Sequence, residues 1–201
     1  PNTEIVILVK EHLGYARNEE LNVESIRALT ELKLLSRGII SLEGIESFFN
    51  LTSIILYNLP PSLDPQGSRG SLNQISELSQ LSSLSNLTHL NLARNRITDV
   101  TPLSSLTNLQ ELYLHRNRIT DISPLSSLTN LQALSLDENK IIDLSPLSSL
   151  TNLQALDIQN NQIIDASPLE TLPNLNTLMI ERSLVGTDEY SSVNFPDQKL
   201  D

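Results

Sequence analysis

The chain has 201 residues, which fits one elongated domain. Its formal net charge of −11 at pH 7 argues against nucleic acid or an anionic membrane as the main partner. It has no cysteine, which excludes disulfide-bonded caps. Aromatic residues make up only 3% and Trp is absent, as a core built from Leu and Ile would explain. No apolar run reaches transmembrane length, so the sequence predicts no membrane insertion.

Residues 1–28 carry no repeat and predict a small helical N-terminal cap. Residues 4–13 are apolar and fit a helix or a strand by pattern alone, and Gly14 predicts the end of that element. Asn22 predicts the N-cap of a second short helix in the stretch VESIRALTEL, residues 23–32, because acidic and hydroxyl residues follow it in the first turn.

From residue 29 onwards, apolar residues recur every 22 residues. Four near-identical copies begin at residues 86, 108, 130 and 152, and the second reads NLQELYLHRNRITDISPLSSLT. A fixed period in this range with the pattern L-x-x-L-x-L-x-x-N-x-I is the leucine-rich-repeat signature. In this copy Leu112 and Leu114 alternate with Glu111, Tyr113 and His115, which predicts a short strand with one inward and one outward face.

Each coil of the repeat also predicts its own turns. The side chain of Asn117 can bond to backbone groups where the strand ends, and recurrence of this Asn predicts a stacked row in the order Asn95, Asn117, Asn139 and Asn161. A recurring Pro within S-P-L-S-S-L favours a single 3₁₀ turn over a regular helix. The recurring Asp two residues before that Pro-containing turn, such as Asp121, predicts a turn-stabilising role. The predicted fold is therefore an α/β leucine-rich-repeat solenoid with a parallel concave sheet, short 3₁₀ turns on the convex side and a helical N-terminal cap.

The solenoid is predicted to span residues 29–186 with about seven strands. Fourteen extra residues interrupt the period after the second strand, and the stretch near 58–72 is rich in Pro, Gly and Ser. This insertion is predicted to be a loop at the rim of the concave face, either a tolerated surface loop or a flap that contacts a ligand. Residues 187–201 are polar and are predicted to form a linker or a partial C-terminal cap.

The coil pattern L-x-x-L-x-L-x-x-N-x-I-x-D-I-S-P-L-S-S-L and the opening segment I-x-S-L-E-G-I-E at residues 39–46 resemble the internalin type of bacterial leucine-rich-repeat protein. The resemblance implies a secreted or surface-attached bacterial protein that binds a host or envelope partner through its concave face. The insertion departs from the usual pattern, and no immunoglobulin-like C-terminal cap is visible. Residues 194–200 resemble the segment that precedes cap helices in this family, so we expect the parent protein to continue beyond residue 201.

The outward positions of the strands predict where a ligand binds. Seven strands at a spacing of about 4.8 Å make a face about 30 Å long, enough for a protein domain or an oligosaccharide. Tyr and Arg, which are favoured at interfaces, cluster in its middle, and acidic residues follow toward the C-terminus. The predicted binding residues are Tyr57, His89, Asn91, Arg94, Tyr113, His115, Arg116, Asp137 and Asp157.

Other chemistries have less support in the sequence. His89 and His115 occupy neighbouring coils, but a histidine pair on a sheet is more often polar surface than a catalytic or metal site. Asp137 and Asp157 supply too few oxygen ligands for calcium. The Arg-x-Arg segments at 94–96 and 116–118 lie in acidic surroundings, which argues against nucleic acid. We therefore predict no catalytic residue, no metal and no cofactor.

The sequence favours a non-enzymatic module that binds a host or envelope protein on its concave face. One alternative is a sensing or targeting arm of a larger enzyme or effector, whose catalytic part would lie outside these residues. Another is glycan binding by the same face, with Tyr57 and Tyr113 stacking on sugar rings.

Overall fold

Seven short parallel strands form one sheet in chain order, β1 to β7. The structure, a computed structural model, describes residues 3–16, 18–59 and 72–180. Each strand pairs in register with the next, so equivalent positions of successive coils lie side by side. The predicted leucine-rich-repeat solenoid is confirmed. The strands are Glu31–Lys33, Ser53–Ile55, His89–Asn91, Glu111–Tyr113, Ala133–Ser135, Ala155–Asp157 and Thr177–Met179.

The interior of the solenoid is one continuous apolar core. Within the fourth coil, Leu109, Leu112, Leu114, Ile119 and Ile122 are almost completely buried, and the matching positions of the neighbouring coils are buried with them. Because no single coil can enclose its own aliphatic side chains, each coil depends on its neighbours for burial. This dependence holds the strands in fixed register and therefore fixes the outward face.

The convex side is built from 3₁₀ turns, as predicted. Four of them contain the recurring Pro in the first turn, where its missing N–H costs no hydrogen bond. The preceding Asp fastens each of these turns: Asp121 Oδ1 accepts a hydrogen bond from the Ser123 N–H at 2.8 Å. The turns span Ile45–Ser47, Ser79–Ser83, Thr101–Ser105, Ser123–Ser127, Ser145–Ser149 and Ser167–Thr171.

A row of buried asparagines ties each coil to the one before it. Asn117 Oδ1 accepts from the Ile97 N–H at 3.0 Å, and its Nδ2 donates to the carbonyls of Leu92 at 3.1 Å and Leu114 at 2.9 Å. These bonds satisfy backbone groups that the tight coil leaves unpaired in its interior. The predicted row is present and begins one coil earlier, with buried Asn73, Asn95, Asn117 and Asn139 followed by half-buried Asn161.

Two helices precede the first strand: α1 is Glu4–His12 and α2 is Val23–Ala28. Asn22 caps α2 as predicted, with Oδ1 accepting from the Ser25 N–H at 2.7 Å. The prediction that this helix extends through residue 32 is wrong. The Thr30 carbonyl accepts from the second coil, at the Thr52 and Ser53 N–H groups, so the chain must already be extended there to join the sheet.

Helix α1 lies directly against the first coil. Its Ile5 and Val9 are fully buried, and Glu4 Oε2 accepts from the Ile40 N–H at 3.2 Å. Gly44 has φ +98°, and a Cβ built there would lie 2.5 Å from Thr3 Oγ1. The glycine in the opening segment at residues 39–46 is therefore required both by its backbone conformation and by the approach of the helix.

The 14 extra residues lie between Leu56 and Asn73, both of which occupy regular repeat positions. Ile54 pairs with Leu90, 36 residues later, which is one 22-residue period plus 14. Asn58 closes the break: its Nδ2 donates to the Asn73 carbonyl at 2.8 Å, and its Oδ1 accepts from the Asn73 N–H at 2.7 Å. Residues 60–71 and 187–201 lie outside the described residues, so the flap and linker interpretations remain predictions.

Candidate functional site

The in-register sheet brings the predicted binding residues onto one face. His89 is paired with Glu111 and Asn91 with Tyr113, while the Arg94 N–H donates to the His115 carbonyl at 2.8 Å and so continues the register past the strands. Seven of the nine predicted residues occupy outward positions. Arg94 and Arg116 follow immediately, at the edge where the chain leaves the face.

One polar cluster crosses the third and fourth coils. His89 Nε2 lies 3.5 Å from Glu111 Oε1, and the Tyr113 hydroxyl donates to Glu111 Oε2 at 2.9 Å. Thr88 Oγ1 lies 2.8 Å from His89 Nδ1. Glu111 thus joins the imidazole of His89 in the third coil to the phenol of Tyr113 in the fourth, and it holds both in one orientation.

Tyr113 is buried in the floor of the face. Only 6% of its surface is exposed, and it forms an apolar cluster with Ala133 and Ala155, against which Met179 packs. The ring can take this position because the neighbouring coils carry alanine where a larger side chain would hold it away. Tyr113 therefore shapes the face more than it protrudes from it.

A second polar chain crosses the fourth and fifth coils. Ser135 Oγ donates to Asp137 Oδ1 at 2.9 Å and lies 3.1 Å from His115 Nδ1. Because Ser135 has a single hydroxyl proton and gives it to Asp137, His115 must donate through Nδ1, which places the acceptor of the neutral ring at Nε2. Burial lowers the pKa of His115. Asp137 opposes that shift, and the charges of Arg94 and Arg116 add to it.

This Ser, His and Asp are not connected as a catalytic triad. In a triad the histidine lies between the serine and the carboxylate and takes the serine proton. Here Ser135 lies between His115 and Asp137, and its proton already points to Asp137. The contacts instead fix the orientation of His115 on the face.

The two arginines at the edge differ in their partners. Both have left-handed backbone conformations, with φ of 58° at Arg94 and 56° at Arg116. Arg116 Nε donates to Glu138 Oε1 at 2.6 Å. Arg94 makes no ion pair within 4 Å among the described residues, and it is half-buried. Burial, and then the charge of Arg116, lowers the pKa of Arg94.

Local contacts hold two of the remaining predicted residues, Asn91 and Asp157. Asn91 Oδ1 accepts from the Ala93 N–H, and Asp157 Oδ1 accepts from the Gln159 N–H, each at 3.1 Å. Asp157 is only 7% exposed. Burial raises the pKa of Tyr57. The side chains of Asn91 and Asp157 therefore stabilise the turn that follows their strands.

Comparisons with known proteins agree with this architecture. A family model described as Leucine Rich repeats (2 copies) matches residues 107–149 and 151–188, and another, Leucine Rich repeat, matches residues 83–100. The crystal structure of internalin C2 from Listeria monocytogenes is 30% identical, with a TM-score of 0.55, over 86% of this chain and 90% of its own. This chain belongs to the internalin-like family of bacterial leucine-rich-repeat proteins. The resemblance predicted from the sequence is confirmed.

Two further structures are similar to this internalin-like chain. An internalin, inlF, from Listeria monocytogenes is 32% identical with a TM-score of 0.65, over 86% of this chain and 54% of that one. A leucine-rich-repeat protein from Leptospira interrogans is 30% identical with a TM-score of 0.54, over 70% of this chain and 41% of that one. The chain therefore spans about half the length of inlF and less of the Leptospira protein. No curated protein sequence matches it.

Three residues of this internalin-like face escaped the sequence prediction. Glu111, Ser135 and Glu138 each contact one or two of the predicted residues. Strand alternation alone places Glu111 and Ser135 at outward positions, and Glu111 is the register partner of His89. What the sequence did not show is that each one links residues in adjacent coils.

Within the described residues, no group of three or more His, Asp or Glu side chains is arranged to hold a metal ion. His89 contacts Glu111 and His115 contacts Ser135, so each histidine is engaged with a different coil neighbour. In the same part of the chain, no helix has both the length and the apolar character needed to cross a membrane.

Proposed function

We propose that this internalin-like chain is a non-enzymatic module that binds a protein ligand on its concave face. Membership in the family supports a protein-binding repeat module, because repeat scaffolds present extended concave surfaces for recognition. The observation that carries the placement is Arg94, a half-buried guanidinium without an ion pair among the described residues.

Arg94 is held in an unfavourable state that a ligand can relieve. Its pKa is lowered by burial and by the charge of Arg116, and the carboxylates of Glu138 and Asp137 offset only part of that shift, so its charged form is only partly compensated in the free protein. A ligand carboxylate would supply that compensation and could bind the planar guanidinium through two hydrogen bonds. Arginine in a partly desolvated position is also a frequent binding hot spot.

The charges around Arg94 orient the ligand. The basic and aromatic side chains lie in the second to fourth coils, whereas Asp137, Glu138 and Asp157 lie in the fifth and sixth. A ligand with the opposite order of charges would be guided into a single orientation along the solenoid. We propose a host or bacterial envelope protein as the ligand, and a secreted or cell-surface location for this chain, in line with the resemblance.

A protein ligand is favoured over a glycan on this face. Stacking of sugar rings requires exposed aromatic faces, and of the two tyrosines predicted to stack, Tyr113 is almost fully covered and Tyr57 is half-buried. The face instead offers charged and hydrogen-bonding groups fixed by their neighbours, which suit the side chains of a folded protein surface. The sensing-arm interpretation remains compatible with this binding function, because such an arm would use the same face.

The test uses a substitution that the chain itself supplies. Asn160 occupies, two coils after Arg116, the left-handed position that Arg94 occupies in the third coil, so Arg94→Asn preserves the backbone. A protein captured by the wild-type chain from host-surface or envelope extract should bind the variant about tenfold or more weakly, since losing a desolvated charge pair costs more than 1.4 kcal/mol.

The matched control is Arg27→Asn, which removes the same charge from the exposed last turn of α2. This variant should bind the captured protein with unchanged affinity. Equal affinity of the wild-type chain and the Arg94→Asn variant would remove the ligand from this part of the concave face.

A further inference from the structure

A second surface carries a charge pattern that the fold does not require. It is formed by residues that come just after the recurring asparagine in each coil, and we call it the outer flank. Its first column consists of Gln74, Arg96, Arg118, Lys140 and Gln162. The backbone N–H of each residue donates to a carbonyl of the preceding coil at 2.7–2.9 Å. Because Gln fulfils this role at both ends of the column, the fold does not require the three cations between them.

The three cations are exposed, and none has an ion pair or side-chain hydrogen bond among the described residues. Among the described residues, none of the recurring aspartates three residues further on forms an ion pair with these cations. The pKa of Asp99 is lowered by its hydrogen bonds with Thr101. Cations in successive coils stand about 4.8 Å apart in backbone spacing, so they repel one another unless a partner supplies negative charge.

The second column of the outer flank ends in exposed apolar side chains. Ile142 and Ile164 are 49% and 78% exposed, and they lie two residues after Lys140 and Gln162. The three preceding coils carry hydroxyl residues at this position: Ser76, Thr98 and Thr120. An equivalent isoleucine, Ile40, lies in the first coil, separated from the pair by these three coils. The buried Ile141 and Ile163 show that the core needs only the neighbouring residue of each coil.

We propose that the outer flank is a second binding surface, which takes an extended acidic segment of a partner protein that also carries aliphatic side chains. Its carboxylates would meet Arg96, Arg118 and Lys140, and its aliphatic side chains would cover Ile142 and Ile164. Arginine beside exposed aliphatic surface is a composition typical of interface centres. This surface follows the concave face along the chain, with Arg96 two residues after Arg94, and it does not depend on the function proposed there.

The charge pattern favours a protein segment over a long polyanion. Asp99, Asp121 and Asp143 run parallel to the cation column, three residues away, and the whole chain has a net charge of −11. These charges repel a polymer with uniform negative charge. A polyanion would also leave the isoleucine pair uncovered, whereas a short mixed segment satisfies both columns.

The experiment uses a randomised peptide display library selected on the full chain, with two variants built from the residues of its own repeats. The charge variant is R96Q/R118Q/K140Q, which extends the Gln of the flanking coils, and the apolar variant is I142T/I164T, which extends the Thr of the preceding coils. Both should keep the wild-type circular dichroism spectrum. Enriched peptides should combine Asp or Glu with Leu, Ile or Val, and binding should fall about tenfold or more in the charge variant.

The apolar variant should weaken the same peptides about threefold to tenfold, since two aliphatic contacts are lost. Arg94→Asn should leave their affinity unchanged, which separates this surface from the concave face. Single Arg118→Gln should weaken binding, and Arg27→Gln, with the same charge change on α2, should not. Heparin, a polymer with uniform negative charge, is the probe that tests whether the outer flank binds a polyanion instead of a protein segment.

Four results would overturn the proposal. Two of them come from the selection: no peptide is enriched, or the enriched peptides lack acidic residues. The third is peptide binding that the charge variant retains. The fourth is heparin binding that the charge variant loses while I142T/I164T leaves peptide binding unchanged.

Discussion

The core and the concave face of this solenoid share one backbone repeat but follow opposite rules along it. In the core, the central strand position is Leu90, Leu112 and Leu134 in consecutive coils, and all three are fully buried. One residue earlier, on the face, the same coils carry His89, Glu111 and Ala133. The core positions repeat because each must fill the same space, whereas the face positions are free of that requirement.

The difference shows which positions of a repeat protein are available for function. A residue that recurs in successive coils has an explanation within the fold, as the buried asparagines and the turn aspartates do. A residue that is not repeated along the solenoid needs another explanation, as Arg94 and Arg116 do where the next two coils carry Glu138 and Asn160 at the same backbone position. Departures from the repeat are therefore the first place to search for binding residues.

The largest expected effect is at the buried asparagine row. Asn117→Ala removes one acceptor and one donor group and leaves the Ile97 N–H and the carbonyls of Leu92 and Leu114 without this partner. Because unsatisfied buried groups cost roughly 1–3 kcal/mol each, we expect a loss of about 3 kcal/mol in the free energy of unfolding, measured by urea denaturation. Asn108, which is exposed and donates to the Ser85 carbonyl, is the control: Asn108→Ala should cost less than about 1 kcal/mol. Equal losses would show that burial does not distinguish Asn117 from Asn108.

The next effect concerns the contact between α1 and the first coil. Gly44→Ala should lower the free energy of unfolding by about 2–4 kcal/mol, since the left-handed conformation and overpacking against Thr3 and Val6 each contribute. Gly14 has φ +79° but no atom within 4 Å of an added Cβ, so Gly14→Ala isolates the conformational part and should cost only about 1 kcal/mol. Thermal or urea unfolding of both variants gives the comparison, and similar losses would contradict the close approach of the helix.

The concave face should respond to pH where the core does not. The pKa of His115 is lowered in the folded state, mainly by burial, so the unfolded chain binds the proton more tightly. Stability should therefore fall as the pH decreases through the unfolded value near 6.5, until the folded pKa is passed. Urea denaturation at pH 7.5 and 5.5 should show a smaller decrease for His115→Gln than for the wild-type chain. An identical decrease in both proteins would exclude His115 as a source of this dependence.

The smallest effect is expected at Arg94 and has the opposite sign. Arg94→Asn replaces a residue that is costly in the left-handed region with one that tolerates it, so the free energy of unfolding should stay equal or rise by less than about 1 kcal/mol. Combined with weaker ligand binding, this result would mark Arg94 as a residue kept for recognition at the expense of stability. A clear loss of stability would indicate a structural role for its side chain.

The sequence was sufficient for features that one coil specifies and the next repeats. The buried asparagine row follows from Asn117 and its equivalents, and the break of 14 residues could be placed because Leu56 and Asn73 keep their repeat positions. The outward position of each face residue also followed from strand alternation. These features depend on local pattern and on a constant spacing between coils.

Features that depend on pairs of different coils could not be predicted in this way. Tyr113 is buried because Ala133 and Ala155 in later coils leave room for its ring. The helix in VESIRALTEL ends at Ala28 because the second coil recruits residue 30 for hydrogen bonding. The contacts of Glu111 and Ser135 likewise join side chains about 20 residues apart, which a single repeat does not encode.

The paired amides of Asn58 and Asn73 make the solenoid tolerant to the length of the segment inserted between them. Both side chains are buried, and together they hold the two ends of the break side by side, as if the chain had not been interrupted. Doubling the length of a closed loop costs only about 0.6 kcal/mol in chain entropy, so a longer segment would lower the stability of the coils very little. Protein engineers could use this junction as a grafting point for an epitope or a reporter, and evolution could diversify the segment without rebuilding the scaffold.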